Sequence, residues 1–275
     1  MELTFNAEKH IYRLNGKRLT SVTTVLGAGV PKPMLIDWAG VEVAGWALDP
    51  ANADEFDRLA HEHRLDLAAE AVDDKGRTAA QKVLGKKHHE KRDKAAVRGT
   101  AVHNLAEQLV HGEQVEVPEE LAPYIDGYLR FLDTFEVAPL MTERTVLLAG
   151  LGVAGRFDLI ATSPHLNHGE PFIADVKTSS GVYRETAAQL AAYGYGADGY
   201  VTDTDPHTLL ELPYVTASFV LHCTPEGTHV VPFAETRDEL GGDFDYFLSA
   251  HHIYERTLAK HKVKDPIPYP TTLAA

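Results

Sequence analysis

Residues 150–178 read GLGVAGRFDLIATSPHLNHGEPFIADVKT, and two readings of this stretch lead to different folds. Gly150, Gly152 and Gly155 match G-x-G-x-x-G, and Asp175 follows at about the spacing of a ribose-binding acid. That fingerprint needs a helix to start at the glycines, with its N-terminus facing a pyrophosphate. The residues that follow are RFDLIAT, which alternate and carry Phe157, Ile160 and Thr162, so they read as a strand. The glycines are better explained as the turn of a hairpin joining TERTVLLA (142–149) to VAGRFDLIA (153–161). The polar run SPHLNHGEP is then a loop, and PFIADVKT a second compact strand.

Side chains two apart on a strand share a face, so Asp175 and Lys177 project together while Val176 points away. With Asp158 on the neighbouring strand, they suit a divalent cation, which takes hard oxygen ligands. A lysine two residues along would orient water or offset charge on a phosphate. The alternative for a bare D-x-K is an ion pair at a sheet rim. A helix over about Tyr183 to Ala197 follows, with Gln189 and Tyr193 four apart on one face.

Taken in order, RGTAVHNLAE (98–107), TERTV, GVAGRFDLI, FIADVKTSS and QLAAY resemble the RecB-like branch of the PD-(D/E)xK nucleases, and within it the phage and CRISPR-adaptation exonucleases. The resemblance covers about Arg98 to Tyr195, and FNAEKHIYRLNGKRLTSVTTVLG near the N-terminus also resembles the start of phage members. It implies an α/β fold, a restriction-endonuclease-like mixed β-sheet core flanked by helices, with a helical N-terminal region. It also implies Mg²⁺ or Mn²⁺ held by His103, Asp158 and Asp175, with the backbone carbonyl of Val176 as a further ligand. Lys177 would be the catalytic lysine, and Gln189 and Tyr193 would contact DNA near the scissile phosphate. Glu143 matches an acidic position that supports the metal site in some members, or is an exposed strand residue. The implied partners are DNA ends or single strands and a single-strand-annealing or recombination protein.

The sequence departs from part of that family at its cysteines. The CRISPR-adaptation nucleases carry four around an iron–sulfur cluster, whereas this chain has Cys223 alone. A cluster held within the subunit is therefore excluded, as is an intrachain disulfide. The single cysteine fits a reducing compartment. At 275 residues and 44% hydrophobic, the chain can bury a substantial core. No apolar run approaches the roughly 18 residues that span a bilayer, and MELTFNAEKH lacks a basic-then-apolar leader, so a cytoplasmic protein without a membrane partner is expected.

A net charge of −14 runs against phosphate binding, but the charge is unevenly placed. Asp37 to Asp74 holds eleven acids against two arginines, whereas Gln81 to Arg98 holds seven lysines and arginines against two acids. On a continuous helix, Lys87, Lys91, Lys94 and Arg98 form one stripe, which reads as a DNA-tracking face or as a solvated one. Extended past Gly99, that stripe runs into the apolar face of Val102, Leu105 and Leu109, with His103 off to the side. Either the helix breaks near Gly99 or the stripe is not one surface. The acidic segment reads as a solvated helix with Phe56, Leu59, His63 and Leu67 inward, or as a surface that repels DNA.

The chain divides as 1–30, a β-hairpin segment with a turn at Asn15-Gly16; 31–136, mainly helical; 137–235, the core sheet and Q-x-x-x-Y helix; and 236–275, a last helix and a poorly ordered tail. His61, His63, His88, His89, His251 and His252 lack partners at zinc spacing and read as mostly exposed. No G-x-S-x-G or Ser-His-Asp grouping is readable. The expected function is a metal-dependent DNA exonuclease, with in-line attack of an activated water. A non-cleaving DNA-binding scaffold and a site-specific endonuclease are the alternatives.

Overall fold

The computed structural model describes residues 1–258. It opens with strands β1 (Leu3–Asn6), β2 (Ile11–Leu14), β3 (Lys17–Arg18) and β4 (Thr20–Ser21). Helices α1 (Val22–Gly29), α2 (Pro33–Leu48), α3 (Ala53–Ala68), α4 (Ala79–Leu84), α5 (Lys87–Val110) and α6 (Ala122–Thr134) follow. Next come β5 (Ala138–Leu148), β6 (Val153–Thr162), β7 (Phe172–Lys177), α7 (Glu185–Gly194), β8 (Gly199–Val201), β9 (Ala217–Thr224), β10 (Gly227–Ala234) and α8 (Arg237–Leu258).

The small sheet β1-β2-β3 turns at Asn15 (φ 48°) and Gly16 (φ 78°), the pair of positive φ values that a type I′ hairpin requires. The large sheet runs β10-β9-β7-β6-β5-β8 and is mixed: β7 pairs with β9 in parallel through the α7 crossover, while β5, β6 and β7 pair antiparallel. The glycine-rich stretch is the β5–β6 turn, one 3-10 turn over Ala149–Leu151 closed by Gly152 at φ 63°, and the chain continues from it as strand β6 with no α-helix. The dinucleotide alternative therefore has no structural basis here.

Apolar side chains from two helical layers cover the sheet. On one face Val22, Val25 and Leu26 of α1, Leu190 of α7 and Phe247 of α8 meet Phe157, Ile160 and Ile173. On the other, Val102 and Ala106 of α5 and Tyr124, Ile125, Tyr128 and Phe131 of α6 meet Leu159, Ala174 and Val176. Alternation on β7 decides the split: Ile173 goes to the first layer, Ala174 and Val176 to the second.

Several expectations need correction. Val22 to Leu26 are helical, because the Ser21 hydroxyl accepts the Thr24 N–H at 3.0 Å and starts α1. The α5 helix runs unbroken through Gly99. The short strand β8 was not anticipated. His251 is buried, and His63 is hydrogen-bonded to Thr78 at 2.9 Å, whereas Leu67 is 51% exposed rather than inward. The expected end of the last helix and the tail after 258 lie outside the described residues.

Candidate metal centre

One edge of β6 is shared by two partners. Val153 and Ala154 pair with β4, while Leu159, Ile160 and Ala161 pair with β7. Between them the edge at Gly155–Asp158 is open. Asp158 and Asp175 occupy the first positions beyond the last β6–β7 pair, Leu159 and Ala174, where the strands part. The Asp158 carboxylate closes the fork by accepting the Val176 N–H at 2.7 Å. A strand residue sends its N–H and C=O to the same edge, so the Val176 carbonyl faces this gap too.

On the α5 side, His103 Nδ1 lies 3.2 Å from Asp158 Oδ2. Glu143, on β5 between the Thr142–Leu159 and Arg144–Phe157 pairs, stands opposite Asp158. One ligand atom each from His103, Glu143 and Asp158 fall within 4.8 Å of one another. They line a cavity of about 10 Å³, room for a single ion or water, whose walls include Glu107, Tyr128 and Val176. Glu143 has φ 49° inside a strand, a sparsely populated conformation of the kind that collects at functional sites. Arg156 holds it by a 2.7 Å Nε–Oε2 bond and reaches Asp203 at 3.1 Å.

Asp175 and Lys177 sit on the α7 side of the fork. Lys177 Nζ is 2.6 Å from Asp175 Oδ2, and Gln189 Nε2 donates to Asp175 Oδ1 at 2.9 Å. Asp175 is 2% exposed, and its Oδ2 has the Lys177 ammonium as its buried counter-charge. Asp175 is not within the 4.8 Å group of His103, Glu143 and Asp158.

The titration behaviour follows from this crowding. Burial lowers the proton affinity of His103, but the Asp158 charge and hydrogen bond outweigh it and raise its pKa to about 9. Burial pushes Asp158 up, but His103 and then Lys177 hold it below its ordinary value. Asp175 stays above the usual carboxylate range because burial outweighs the pull of Lys177. Glu143 is raised to about 7 by burial and by Asp158, against the opposing effect of Arg156. Without a cation, protonated His103 and Lys177 balance the acids.

The six expected DNA contacts do not form one exposed surface. Tyr193 is 3% exposed and packs against Gly155, where a Cβ would come within 2.2 Å of its ring, so it is a packing residue. Gln189, half-buried, braces Asp175. The basic stripe does not act as one surface. Lys87 pairs with Glu55 at 2.9 Å over the Trp46 ring, and Lys91 pairs with Glu42 at 2.6 Å. Arg98 turns inward, stacks on Tyr124 and donates to the Thr178 carbonyl at 3.0 Å, just past Lys177. Lys94 lines an open groove between α5 and α6, together with Glu90, Asp93 and Glu120.

Sequence reasoning missed Arg156 and Asp203 as supports of Glu143. Arg156 stands two residues before Asp158, so alternation offered a signal for it; Asp203 offered none. Cys223 is buried and free, its thiol pushed up to about 11 by burial. No helix among the described residues is long and apolar enough to cross a membrane. No protein-family model matches the chain, and no curated protein matches it significantly.

Proposed function

We propose that the chain is a divalent-metal-dependent deoxyribonuclease with a restriction-endonuclease-like core of the RecB-like branch, hydrolysing phosphodiester bonds at DNA ends or in single strands. The observation that carries this reading is the placement of Asp158 and Asp175 where β6 and β7 part, with His103 and Glu143 on one side and Lys177 on the other. Oxygen donors with one imidazole, around a cavity of ion size, suit Mn²⁺ or Mg²⁺ and not an iron–sulfur cluster. When bound, the cation would lower the pKa of the attacking water and stabilise charge on the phosphate.

The chain's own residues do the remaining work. His103, Glu143 and Asp158 would hold the ion, with Asp175 and the Val176 carbonyl at the same fork. Lys177, 28% exposed, presents its ammonium to a phosphate that reaches the fork and offsets its developing charge. Gln189 fixes Asp175, and Asp175 fixes Lys177, so the seating of α7 sets the ammonium's position. The proposed setting is phage-type DNA recombination, repair or processing, with a single-strand-annealing protein taking the product strand.

The test is incubation with 5′- or 3′-labelled linear, circular and single-stranded DNA, with Mg²⁺, Mn²⁺ or a chelator. Product that needs the metal and is lost in Asp158→Ala and Lys177→Ala supports the proposal. DNA binding without product would assign a scaffold instead, and cleavage of circles at fixed positions an endonuclease.

A further inference from the structure

Between the N-terminal hairpin, the start of α1 and the last turns of α8 lies a pocket of about 250 Å³. Arg18, His10, Tyr12, Thr20, Ser21 and Thr24 line it, with Tyr254 on the α8 side. Each of these side chains can donate a hydrogen bond, and no carboxylate stands among them. In a chain of net charge −14 such a lining is selective for an anion. The groove between α5 and α6, by contrast, sets Glu90, Asp93 and Glu120 beside its two cations.

The surrounding sequence carries the same bias. Leu3 to Ile36 holds five lysines and arginines, Lys9, Arg13, Lys17, Arg18 and Lys32, against one acid, Glu8. Lys32 pairs with Glu185 at 2.9 Å, whereas the other four form no ion pair among the described residues, unlike Lys87 and Lys91. Tyr12 adds an independent sign. It is 2% exposed and lines the pocket, yet its hydroxyl has no hydrogen-bond partner among the described residues. A buried phenol normally finds one. The neighbouring hydroxyls are held in place, Ser21 Oγ at 2.7 Å from Thr24 Oγ1 and Thr20 Oγ1 at 3.3 Å from the Tyr254 hydroxyl.

The pocket adjoins the metal centre. Thr20 and Ser21 pair with Val153 and Ala154, and the next residue on β6, Gly155, begins the open edge that ends at Asp158. From Ala154 to Asp158 the strand spans about 13 Å. Tyr12 stacks on Phe5 at 4.6 Å, and Arg156, which holds Glu143, lies 5.5 Å from the Phe5 ring. Pocket and fork therefore share one edge of the sheet.

We propose that the pocket seats a second phosphate of the DNA strand that is cleaved at the fork, an inference that rests on the deoxyribonuclease reading above. Arg18 supplies the charge, and the Tyr12 hydroxyl is the buried donor that this phosphate completes. Contacts of this kind fix the register of a strand without reading its bases. The phosphate is either a phosphodiester within the strand or a phosphate at its end.

The test is a fluorescence-anisotropy titration of a labelled single-stranded oligonucleotide with the full chain in chelator, where no metal-dependent cleavage intervenes. Arg18→Ala, at an exposed position, should weaken binding about tenfold and lower the salt slope by about 0.7, the share of one phosphate on a single strand. Tyr12→Phe, which keeps the ring on Phe5, should weaken it about fivefold. Lys17→Ala, on the same hairpin but outside the pocket, should cost far less, and all three should keep the parent's circular dichroism spectrum. One neutral methylphosphonate, or removal of one terminal phosphate, should reproduce the loss in the parent and add nothing in Arg18→Ala. The first result assigns the pocket to the backbone and the second to a strand end. Equal effects of Arg18→Ala and Lys17→Ala, a loss that no single phosphate reproduces, or a parent chain that binds no DNA overturns the proposal. Metal-dependent product from a chain indifferent to Arg18→Ala overturns the pocket and keeps the nuclease. Phosphate-specific binding without product keeps the pocket and removes the nuclease.

Discussion

Replacing Gly155 by alanine tests the packing behind the metal centre with one methyl group. The added Cβ would sit 2.2 Å from Tyr193 Cε1 and 2.9 Å from Cζ, whereas ordinary contact begins near 3.4 Å. The ring, or β6 itself, must therefore give by about 1.2 Å. Both lie in the core, with Tyr193 at 3% exposure, and overpacking of this kind costs about 1–3 kcal/mol. The upper end is expected here because the clash is with a rigid ring carried by a buried helix. For a chain of this size that corresponds to a Tm lowered by roughly 6–12 °C. Urea unfolding should show the loss in midpoint at constant slope. In a Tyr193→Leu background the same substitution should cost much less, giving a coupling of at least about 1.5 kcal/mol. Because α7 also carries Gln189, Gly155→Ala should weaken Mn²⁺ binding several-fold. Stability within about 0.5 kcal/mol of the parent, or an equal cost in both backgrounds, would refute the packing of Tyr193 of α7 against β6.

Removing Lys177 leaves buried Asp175 without its cation; breaking such a pair costs about 3–5 kcal/mol, reduced to about 2 here because the lysine is 28% exposed. Lys177→Ala should therefore lose more stability at high pH than at low pH, because burial already raises the Asp175 pKa and a protonated carboxyl no longer needs the lysine, and a loss independent of pH would count against the pairing. In the metal-free protein His103 is raised from 6.5 to about 9, so its contribution is full below about pH 6.5 and is lost as pH rises through 9. Glu143, raised from 4.5 to about 7, acts in the same direction over its own range, so metal-free stability should fall from about pH 4.5 to about pH 9, measurable by urea titration at each pH. Mn²⁺ binding at pH 7 should release at least about one proton, read by calorimetry in buffers of different ionisation enthalpy, and His103→Asn should abolish most of that release. A saturating divalent ion at 100 times its Kd should add about 2.7 kcal/mol, and Asp158→Asn should remove that gain. A thermal shift surviving Asp158→Asn would place the ion elsewhere.

The hairpin, the shared face of Asp175 and Lys177, and the helix bearing Gln189 were legible because period-2 and period-3.6 patterns are local. What could not be read were distances set by the third dimension. Whether Tyr193 meets solvent depends on a missing side chain at Gly155, in another element. The lysine stripe looked free because its partners, Glu42 and Glu55, lie 49 and 32 residues away. The strain at Glu143 has no sequence signature, since its neighbours all favour extended backbone. Val22 to Leu26 misled for the opposite reason: they fell inside the segment read as β-hairpin, and a single capping serine decided for helix.

The parting of β6 and β7 has a mechanical consequence. Each strand stays bonded along its other edge, β6 to β5 and β7 to β9, so each acid rides on its own half of the sheet. The ladder joining the halves is three residue pairs long and ends at Leu159 and Ala174. A small change in the spacing of Asp158 and Asp175 therefore breaks no backbone bond at their level and asks only the Val176–Asp158 contact to flex. Under the proposed function, the same residues would then accommodate ions of different radius by a change in the width of this gap alone.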